Sequence, residues 1–233
     1  DLGDVYVIGL GAIDTIIEYG RAVSDAEFLE REQAVKGSDL ATIVYTSGST
    51  GTPKGVELTH ANFVFITYSG VNSMPDIAMK PNRRLLLFLP LAHVFARYMQ
   101  FFCFAGNVSL GLSSNLKTIL ADFKAFKPTF ILAVPRIFEK IYNAASQKAG
   151  AGFKGRVFAD ATQTACDWSH AQQSGGSIPL ALNAKHALYN KLVYSSIMEV
   201  FGGHVEYAVS GGAPLDSSIA HFFNGVGLSL LEG

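Results

Sequence analysis

Apolar and polar residues follow one another along this chain in two alternating patterns. Short apolar runs predict strands, and longer stretches with apolar residues at a helical spacing predict helices. Strands are predicted at 84–89, 108–111, 129–134, 204–209 and 228–231. Helices are predicted at 94–105, from 113 or 114 to 126, and at 135–147, 153–172, 180–200 and 216–223. Because the two alternate from residue 84 onward, we expect an α/β fold with a mostly parallel sheet covered by helices on both faces.

The first third of the chain has a weaker periodicity but clear boundary signals. Ser24 with Glu27 three residues later is a capping box, which predicts a helix that ends near Val35, with Gly37 as its C-cap. The apolar run 40–45 predicts a buried strand. The other predicted segments are a strand at 5–8, a helix at 13–19, a short strand at 56–58, an amphipathic helix at 62–71 and a loop at 74–82.

A loop rich in glycine and hydroxyl residues, 46–55, follows the strand at 40–45. Three glycines, five hydroxyl side chains, Pro53 and Lys54 occupy its positions. Glycines let backbone N–H groups converge on an anion, hydroxyls add further donors, and the lysine adds a full charge. The loop therefore predicts a phosphate site. The alternative is a flexible surface loop, which the stiffening effect of Pro53 disfavours.

Two better-known glycine-loop chemistries do not fit these residues. The P-loop of nucleoside-triphosphate enzymes places Gly-Lys-Ser/Thr at the start of a helix. Here Lys54 precedes Gly55, and the chain continues as a strand. A hydrolytic serine would need a Gly-x-Ser-x-Gly elbow, and neither Ser47 nor Ser49 has that setting.

Ligands of parallel α/β sheets bind where loops leave the carboxyl ends of the strands. Three loops of this kind carry candidate residues, namely 46–55, 90–97 and 210–214. His93 could sense a carboxylate, or it could be a hydrogen-bonded core histidine. The small residues of 210–214 could lie against a flat ring, or they could form an ordinary strand–turn–helix connection. Arg136 could bind an anion or cap a neighbouring carbonyl.

Composition excludes several classes of partner. The 233 residues are 49% apolar and 16% charged, with a net charge of −1. Without a basic patch, nucleic acid is not an expected partner. No apolar stretch approaches the ~18 residues of a membrane span. The histidines and two cysteines show no metal-ligand spacing, and the cysteines fit a reducing compartment, so we expect a cytoplasmic protein.

Four ordered motifs carry a resemblance to a known family. Residues 45–55 read YTSGSTGTPKG and resemble the phosphate loop of the adenylate-forming superfamily, with Ser-Thr in place of the usual threonine pair. This superfamily includes acyl-CoA synthetases, luciferases and the adenylation domains of peptide synthetases. The segments 89–97 (LPLAHVFAR), 134–140 (VPRIFEK) and 208–215 (AVSGGAPL) resemble more specifically the bacterial long-chain fatty acid–CoA ligases. Residues 231–233 resemble the lead-in to that family's Tyr-Gly-x-Thr-Glu motif.

The resemblance implies a two-step reaction on a fatty acid, with ATP, Mg²⁺ and coenzyme A. The carboxylate attacks the α-phosphate to give acyl-AMP and pyrophosphate, and the coenzyme A thiol then displaces AMP. The residues implied to hold the phosphates are Thr46, Ser47, Gly48, Ser49, Thr50, Gly51 and Lys54. Thr46 also matches the hydroxyl that contacts Mg²⁺, and His93 matches a catalytic position beside the acyl carboxylate. The residues implied to flank the adenine are Gly211, Gly212, Ala213 and Pro214.

The resemblance covers about residues 38–233. It implies that 1–233 is part of an N-terminal AMP-binding domain, with a βα-alternating subdomain at about 84–233 and a C-terminal lid domain outside this sequence. The lid would carry a catalytic lysine, so we expect these residues alone to be nearly inactive. Alternatives are adenylation of a medium-chain, aryl or carrier-linked carboxylate, a phosphotransferase, and a non-catalytic module that keeps the fold. Acyl chain length, oligomeric state and a peripheral membrane contact through helices such as 94–105 stay open.

Overall fold

A computed structural model describes residues 11–46 and 51–232, and it divides into two compact units, one up to Val64 and one from Phe65. The first unit contains helices α1 (Ala12–Gly20) and α2 (Asp25–Ala34) and the antiparallel strands β1 (Leu40–Thr46) and β2 (Lys54–Thr59). Helix α3 (His60–Ser73) follows and runs across the division. The Ser24 hydroxyl accepts a hydrogen bond from the Glu27 N–H at the start of α2, as the capping box predicts.

The second unit is built on a five-stranded parallel sheet. Its strands are β3 (Arg83–Leu87), β4 (Val108–Leu112), β5 (Phe130–Ala133), β6 (Tyr207–Ser210) and β7 (Ser229–Glu232). They lie in the order β4-β3-β5-β6-β7, and every neighbouring pair is parallel. The expected α/β fold with a parallel sheet is therefore confirmed.

Helices connect these strands and cover the sheet. They are α4 (Pro75–Ala78), α5 (Val94–Ala105), α6 (Ile119–Phe126), α7 (Pro135–Ala149), α8 (Phe153–Gln173), α9 (Leu180–Tyr189), α10 (Ser195–Met198) and α11 (Ser217–Val226). A π turn at Asn190–Tyr194 joins α9 to α10, and a 3₁₀ turn at Glu199–Phe201 follows. Within the described parts of the chain, no helix is both long and apolar enough to cross a bilayer.

Successive residues of each strand supply two separate cores. On β3, Leu86 faces a core formed with α6 to α11, whereas Leu85 and Leu87 face a second core that includes α5. The same alternation places Ile131 of β5 in the first core and Leu132 in the second. Both faces of the central strands are thus buried, which explains why these strands read as continuous apolar runs.

Several elements differ from the sequence predictions, and the predicted helix 180–200 is divided by the π turn at Asn190–Tyr194. Helix α6 begins at Ile119 rather than near Ser113, because the Ser113 hydroxyl instead donates to the Asp122 carboxylate at 2.7 Å. Strand β6 begins at Tyr207 rather than His204, since its pairing with β5 starts there. The predicted loop at 74–82 contains the short helix α4, which Pro75 opens at a position where its missing N–H carries no penalty.

The prediction of a buried strand at 40–45 is wrong. Strand β1 pairs with β2 within the described residues, and none of its side chains is buried. Tyr45 is 70% exposed. The C-cap of α2 is also Val35 rather than Gly37, because α2 ends in an extended residue and needs no left-handed one. The predicted strand at 5–8 lies outside the described residues.

Candidate nucleotide and acyl site

The predicted phosphate loop connects the two strands of the hairpin, not two strands of the parallel sheet. Thr46 and Lys54 face each other in register at its base, and the Thr46 hydroxyl donates to the Lys54 carbonyl at 3.5 Å. Gly51 has a φ of +80°, a conformation that favours glycine. Lys54 is exposed, so its ammonium is open to a ligand. Ser47, Gly48, Ser49 and Thr50 lie outside the described residues.

The predicted adenine loop follows β6, and it is tied to the sheet at both ends. At its start the Gly211 N–H donates to the Ala133 carbonyl of β5 at 3.1 Å. At its end the Leu215 N–H donates to Glu232 Oε1 of β7 at 2.8 Å. Between these two bonds, Gly212, Ala213 and Pro214 are exposed. The loop is therefore an open span of three residues between fixed ends.

A cap starts helix α11 directly after this loop. Asp216 Oδ1 accepts from the Ser218 N–H at 2.8 Å and from the Ile219 N–H at 3.4 Å. Hydrogen bonds to the Asp216 carboxylate, first from the Ser218 hydroxyl and then from the Ser218 and Ile219 amides, lower its pKa. The charged cap fixes the direction in which the chain leaves the loop.

His93 caps helix α5 with its side chain. Its Nδ1 accepts from the Phe95 N–H at 3.3 Å, which places the ring proton on Nε2. The residue is exposed, so the alternative of a core histidine is wrong. Arg97, one turn along α5, donates from Nε to the Leu91 carbonyl at 3.2 Å and holds the preceding turn in place. His93 thus presents a donor from a rigid helix end.

The parallel topology brings several of these features to one edge of the sheet. His93 follows β3, Arg136 follows β5, the 211–214 loop follows β6, and Glu232 ends β7. Since these strands are adjacent and parallel, all four features lie at the same carboxyl edge, where such sheets bind ligands. Arg136 is exposed in the first turn of α7, as an anion-binding side chain would be.

Sequence reasoning missed Glu232 as a residue of this edge. The sequence pattern assigns Glu232 only to the lead-in of a motif, because its partner Leu215 is 17 positions away. The available signal was the order of the strands. Once β6 and β7 are neighbours, a carboxylate at the end of β7 lies beside the loop that leaves β6.

An open pocket of about 490 Å³ lies in the same unit, beside the edge strand β4. Arg84 and Asp122 are the charged residues that line it. The Arg84 guanidinium lies 4.5 Å from the centre of the Phe126 ring, and Asp122 accepts from the hydroxyls of Ser113 and Thr118. The pocket contains none of the predicted site residues. Asp122 is hydrogen-bonded within it, whereas the buried Arg84 Nε has no hydrogen-bond partner among the described residues.

Burial shifts the pKa of His221 and of both cysteines. The rings of His170 and His221 are 3.6 Å apart, and burial, followed by the charge of His170, lowers the pKa of His221. Burial raises the pKa of Cys103 to about 12 and also raises that of Cys166. In residues 11–46 and 51–232, no group of three or more His, Cys, Asp or Glu residues could hold a metal ion.

Comparison with known proteins identifies relatives of this chain. The chain is 45% identical over 225 residues to the long-chain-fatty-acid–CoA ligase FadD15 of Mycobacterium tuberculosis, covering 97% of this chain and 37% of that protein. It is 32% identical to the peroxisomal long chain acyl-CoA synthetase 7 of Arabidopsis thaliana, covering 94% of this chain and 30% of that protein. The chain thus spans roughly a third of the length of these relatives.

A solved structure agrees with the sequence comparison. The A-PCP didomain of carboxylic acid reductase from Segniliparus rugosus, in complex with AMP, superposes with a TM-score of 0.58 at 26% identity, covering 95% of this chain and 27% of that one. The family model of the AMP-binding enzymes matches residues 5–233. The chain belongs to the family of AMP-binding enzymes.

Proposed function

We propose that this chain forms part of an AMP-forming long-chain fatty acid–CoA ligase. The observation that carries this proposal is the 45% identity, across 97% of the chain, to a long-chain-fatty-acid–CoA ligase. In the first step a fatty carboxylate oxygen attacks the α-phosphorus of ATP, the bond to the β-phosphate oxygen breaks, and pyrophosphate leaves. In the second step the coenzyme A thiol attacks the acyl carbon, loses its proton and displaces AMP.

The first step brings together two anions, so the protein must position them and neutralise their charge. In our proposal the loop 46–54 binds the β- and γ-phosphates, and Lys54 supplies the positive charge. The loop 211–214 lies against the adenine. Its exposed, small residues support this role, because a flat ring needs a surface without bulky side chains.

His93 is proposed to contact the carboxylate of the fatty acid. Its Nδ1 accepts from the Phe95 N–H, so Nε2–H is the donor that it can offer to an oxygen. A neutral donor suits this role, because it orients the carboxylate while leaving its negative charge available for attack. The position at the carboxyl edge of the parallel sheet supports the assignment.

The proposed reaction also uses Mg²⁺, and Thr46 is the residue that would hold it. Mg²⁺ prefers oxygen ligands and commonly binds through one or two protein groups, phosphates and water. The Thr46 hydroxyl fits this donor set, since it donates to the Lys54 carbonyl at 3.5 Å, and a donated hydrogen bond leaves the oxygen lone pairs available. Bound there, the ion would neutralise charge on the phosphates.

Exchange of labelled pyrophosphate into ATP tests the proposed function in the full-length protein. We expect exchange that depends on palmitate, is weaker with octanoate and is weakest with acetate. Equal rates with all three acids would contradict the long-chain assignment. Residues 1–233 alone, assayed in parallel, should show almost no exchange if the rest of the protein supplies catalytic groups.

A further inference from the structure

We propose that Glu232 is a positioning residue whose carboxylate holds the loop 211–215 in the shape that receives the adenine. The proposal rests on the function proposed above. Glu232 is an acidic residue to which the proposed function gives no role. The carboxylate acts through the backbone of Leu215, not through the nucleotide itself.

The contact continues the sheet where its backbone pairing stops. Ser210 and Glu232 are the last paired residues of β6 and β7. Beyond Ser210 the chain continues as the loop, which is not part of the β6–β7 ladder. The Glu232 side chain reaches the Leu215 N–H at 2.8 Å instead.

The two ends of the loop depend on different kinds of anchor. The first end is fixed by the Gly211 N–H bond to the backbone carbonyl of Ala133, which no side-chain substitution removes directly. The second end is fixed by the Glu232 carboxylate and by the buried side chain of Leu215. A single substitution at Glu232 therefore releases the Leu215 amide while leaving the first anchor and the sheet in place.

The exposed span between the anchors has few conformations of its own. Gly212 has a φ of +86°, and Pro214 has its φ fixed by its ring. A Cβ at Gly212 would lie 4.0 Å from the nearest atom, Val134 Cγ1, so backbone conformation and not crowding restricts this position. With both ends held, the span presents one surface to a ligand. With Leu215 released, binding must order the loop first, which weakens affinity.

The proposal predicts which side chains can replace Glu232. Glu232→Gln keeps an oxygen acceptor at the same reach, whereas Glu232→Asp keeps the charge but shortens the reach by one methylene. A residue that holds Leu215 should tolerate Gln better than Asp. A residue that acts by charge, for example on a metal ion, should tolerate Asp better than Gln.

The test uses the full-length enzyme with three variants, Glu232→Ala, Glu232→Asp and Glu232→Gln. We expect Glu232→Ala to raise the KM for ATP about tenfold, with kcat and the KM for palmitate within about twofold of wild type. Glu232→Asp should lie near the Ala variant, and Glu232→Gln near wild type. Glu199→Ala is a matched control, because Glu199 is an exposed glutamate on the 3₁₀ turn that precedes β6.

Calorimetric binding of AMP to the same proteins separates this inference from the proposed function. If the wild type binds AMP but shows no palmitate-dependent exchange, the proposed function fails, and the order of AMP affinities among the variants still tests the role of Glu232. Equal affinity of wild type and Glu232→Ala for AMP would overturn the inference, as would an Asp variant better than the Gln variant. If Glu232→Ala does not fold, the Asp and Gln variants alone decide.

Discussion

The hairpin unit and the parallel-sheet unit contain apolar strands of similar composition, but they bury them very differently. All four residues of β5 (Phe130–Ala133) are buried, whereas none of the seven residues of β1 (Leu40–Thr46) is. The difference lies in the neighbours. Strand β5 has a parallel strand on each side and a core on each face, and β1 pairs with β2 in the described residues. An apolar run thus predicts a strand, but not the layers that cover it.

The same contrast extends to the two candidate loops. The loop after β6 is tied to the buried strand β5 by a bond of 3.1 Å and to the edge strand β7 by a bond of 2.8 Å, while the base of the hairpin loop has a side-chain bond of 3.5 Å. Loops anchored on a buried core open less readily than loops on an exposed hairpin. We therefore expect the adenine loop to be preformed before the nucleotide binds.

Phe223→Ala should have the largest effect and tests the difference in burial directly. Phe223 is fully buried, with its ring centre 5.5 Å from that of Phe138 and 6.0 Å from that of Phe201. Its removal should cost about 3–5 kcal/mol of unfolding free energy. The matched change in the hairpin, Tyr45→Ala, should cost within about 0.5 kcal/mol. Urea unfolding of the full-length protein measures both, and similar losses would break the comparison.

Gly225→Ala should come next, because it forces two packed helices apart. A Cβ at Gly225 of α11 would lie 2.0 Å from the Ala165 carbonyl oxygen of α8, which cannot yield without a backbone shift. We expect a loss of about 1–3 kcal/mol in unfolding free energy. Gly20→Ala at the end of α1 is the control, since no atom lies within 4 Å of its Cβ position. That variant should be neutral or stabilised by up to about 1 kcal/mol.

Gly212→Ala and Gly51→Ala compare the two loops at equivalent backbone strain. Their φ angles are +86° and +80°, so each alanine should cost about 1–2 kcal/mol if the loop keeps its shape. AMP has no β- or γ-phosphate, so in our proposal it contacts the adenine loop and not the loop 46–54, and only Gly212→Ala passes its cost to AMP affinity. We expect AMP to bind several-fold more weakly to Gly212→Ala and almost unchanged to Gly51→Ala. Calorimetry with AMP decides, and the reverse order would refute the contrast.

The smallest expected effect is a pH dependence located in the sheet unit. The folded protein binds the His221 proton more weakly than the unfolded chain, because burial and then His170 lower the pKa of His221. The unfolded state therefore takes up more protons as the pH falls below about 6.5, and stability is lost through that range down to the folded pKa. His221→Gln should reduce the change of unfolding free energy with pH between about pH 7.5 and about pH 5.5. The exposed His204→Gln should leave it unchanged.

Much of the sheet unit could be predicted from sequence, since local patterns determined it. Helix α5 has the predicted bounds of 94–105, β5 lies within the predicted run 129–134, and β3 overlaps the predicted run 84–89, because continuous apolar segments bounded by Pro90 and Pro128 leave few alternatives. The start of α6 could not be predicted, because Ser113 bonds to Asp122 in place of capping the helix. Local sequence does not encode whether the Ser113 hydroxyl accepts from a helix N–H or donates to a carboxylate.

The individual loops of the candidate site were predictable from sequence, but the contacts between separate elements were not. The residues His93 and 211–214 follow strands of one sheet, and the parallel alternation indicated as much. Two features were not predictable, namely the antiparallel hairpin that carries the loop 46–55 and the contact of Glu232 with Leu215. Each depends on which strands become neighbours. The roles of all these residues in binding stay predictions until the variants are measured.

The two native thiols, one buried and one half-buried, have a practical consequence for spectroscopy. Cys103 and Cys166 are the only cysteines in these residues, and burial raises the pKa of both, so few of their thiols are ionised at neutral pH. Maleimide reagents require the thiolate. A cysteine introduced at Ala213 and another at Thr52 would therefore label much faster than either native thiol. A fluorophore pair at those positions could report, in solution, how the distance between the two loops changes when nucleotide arrives.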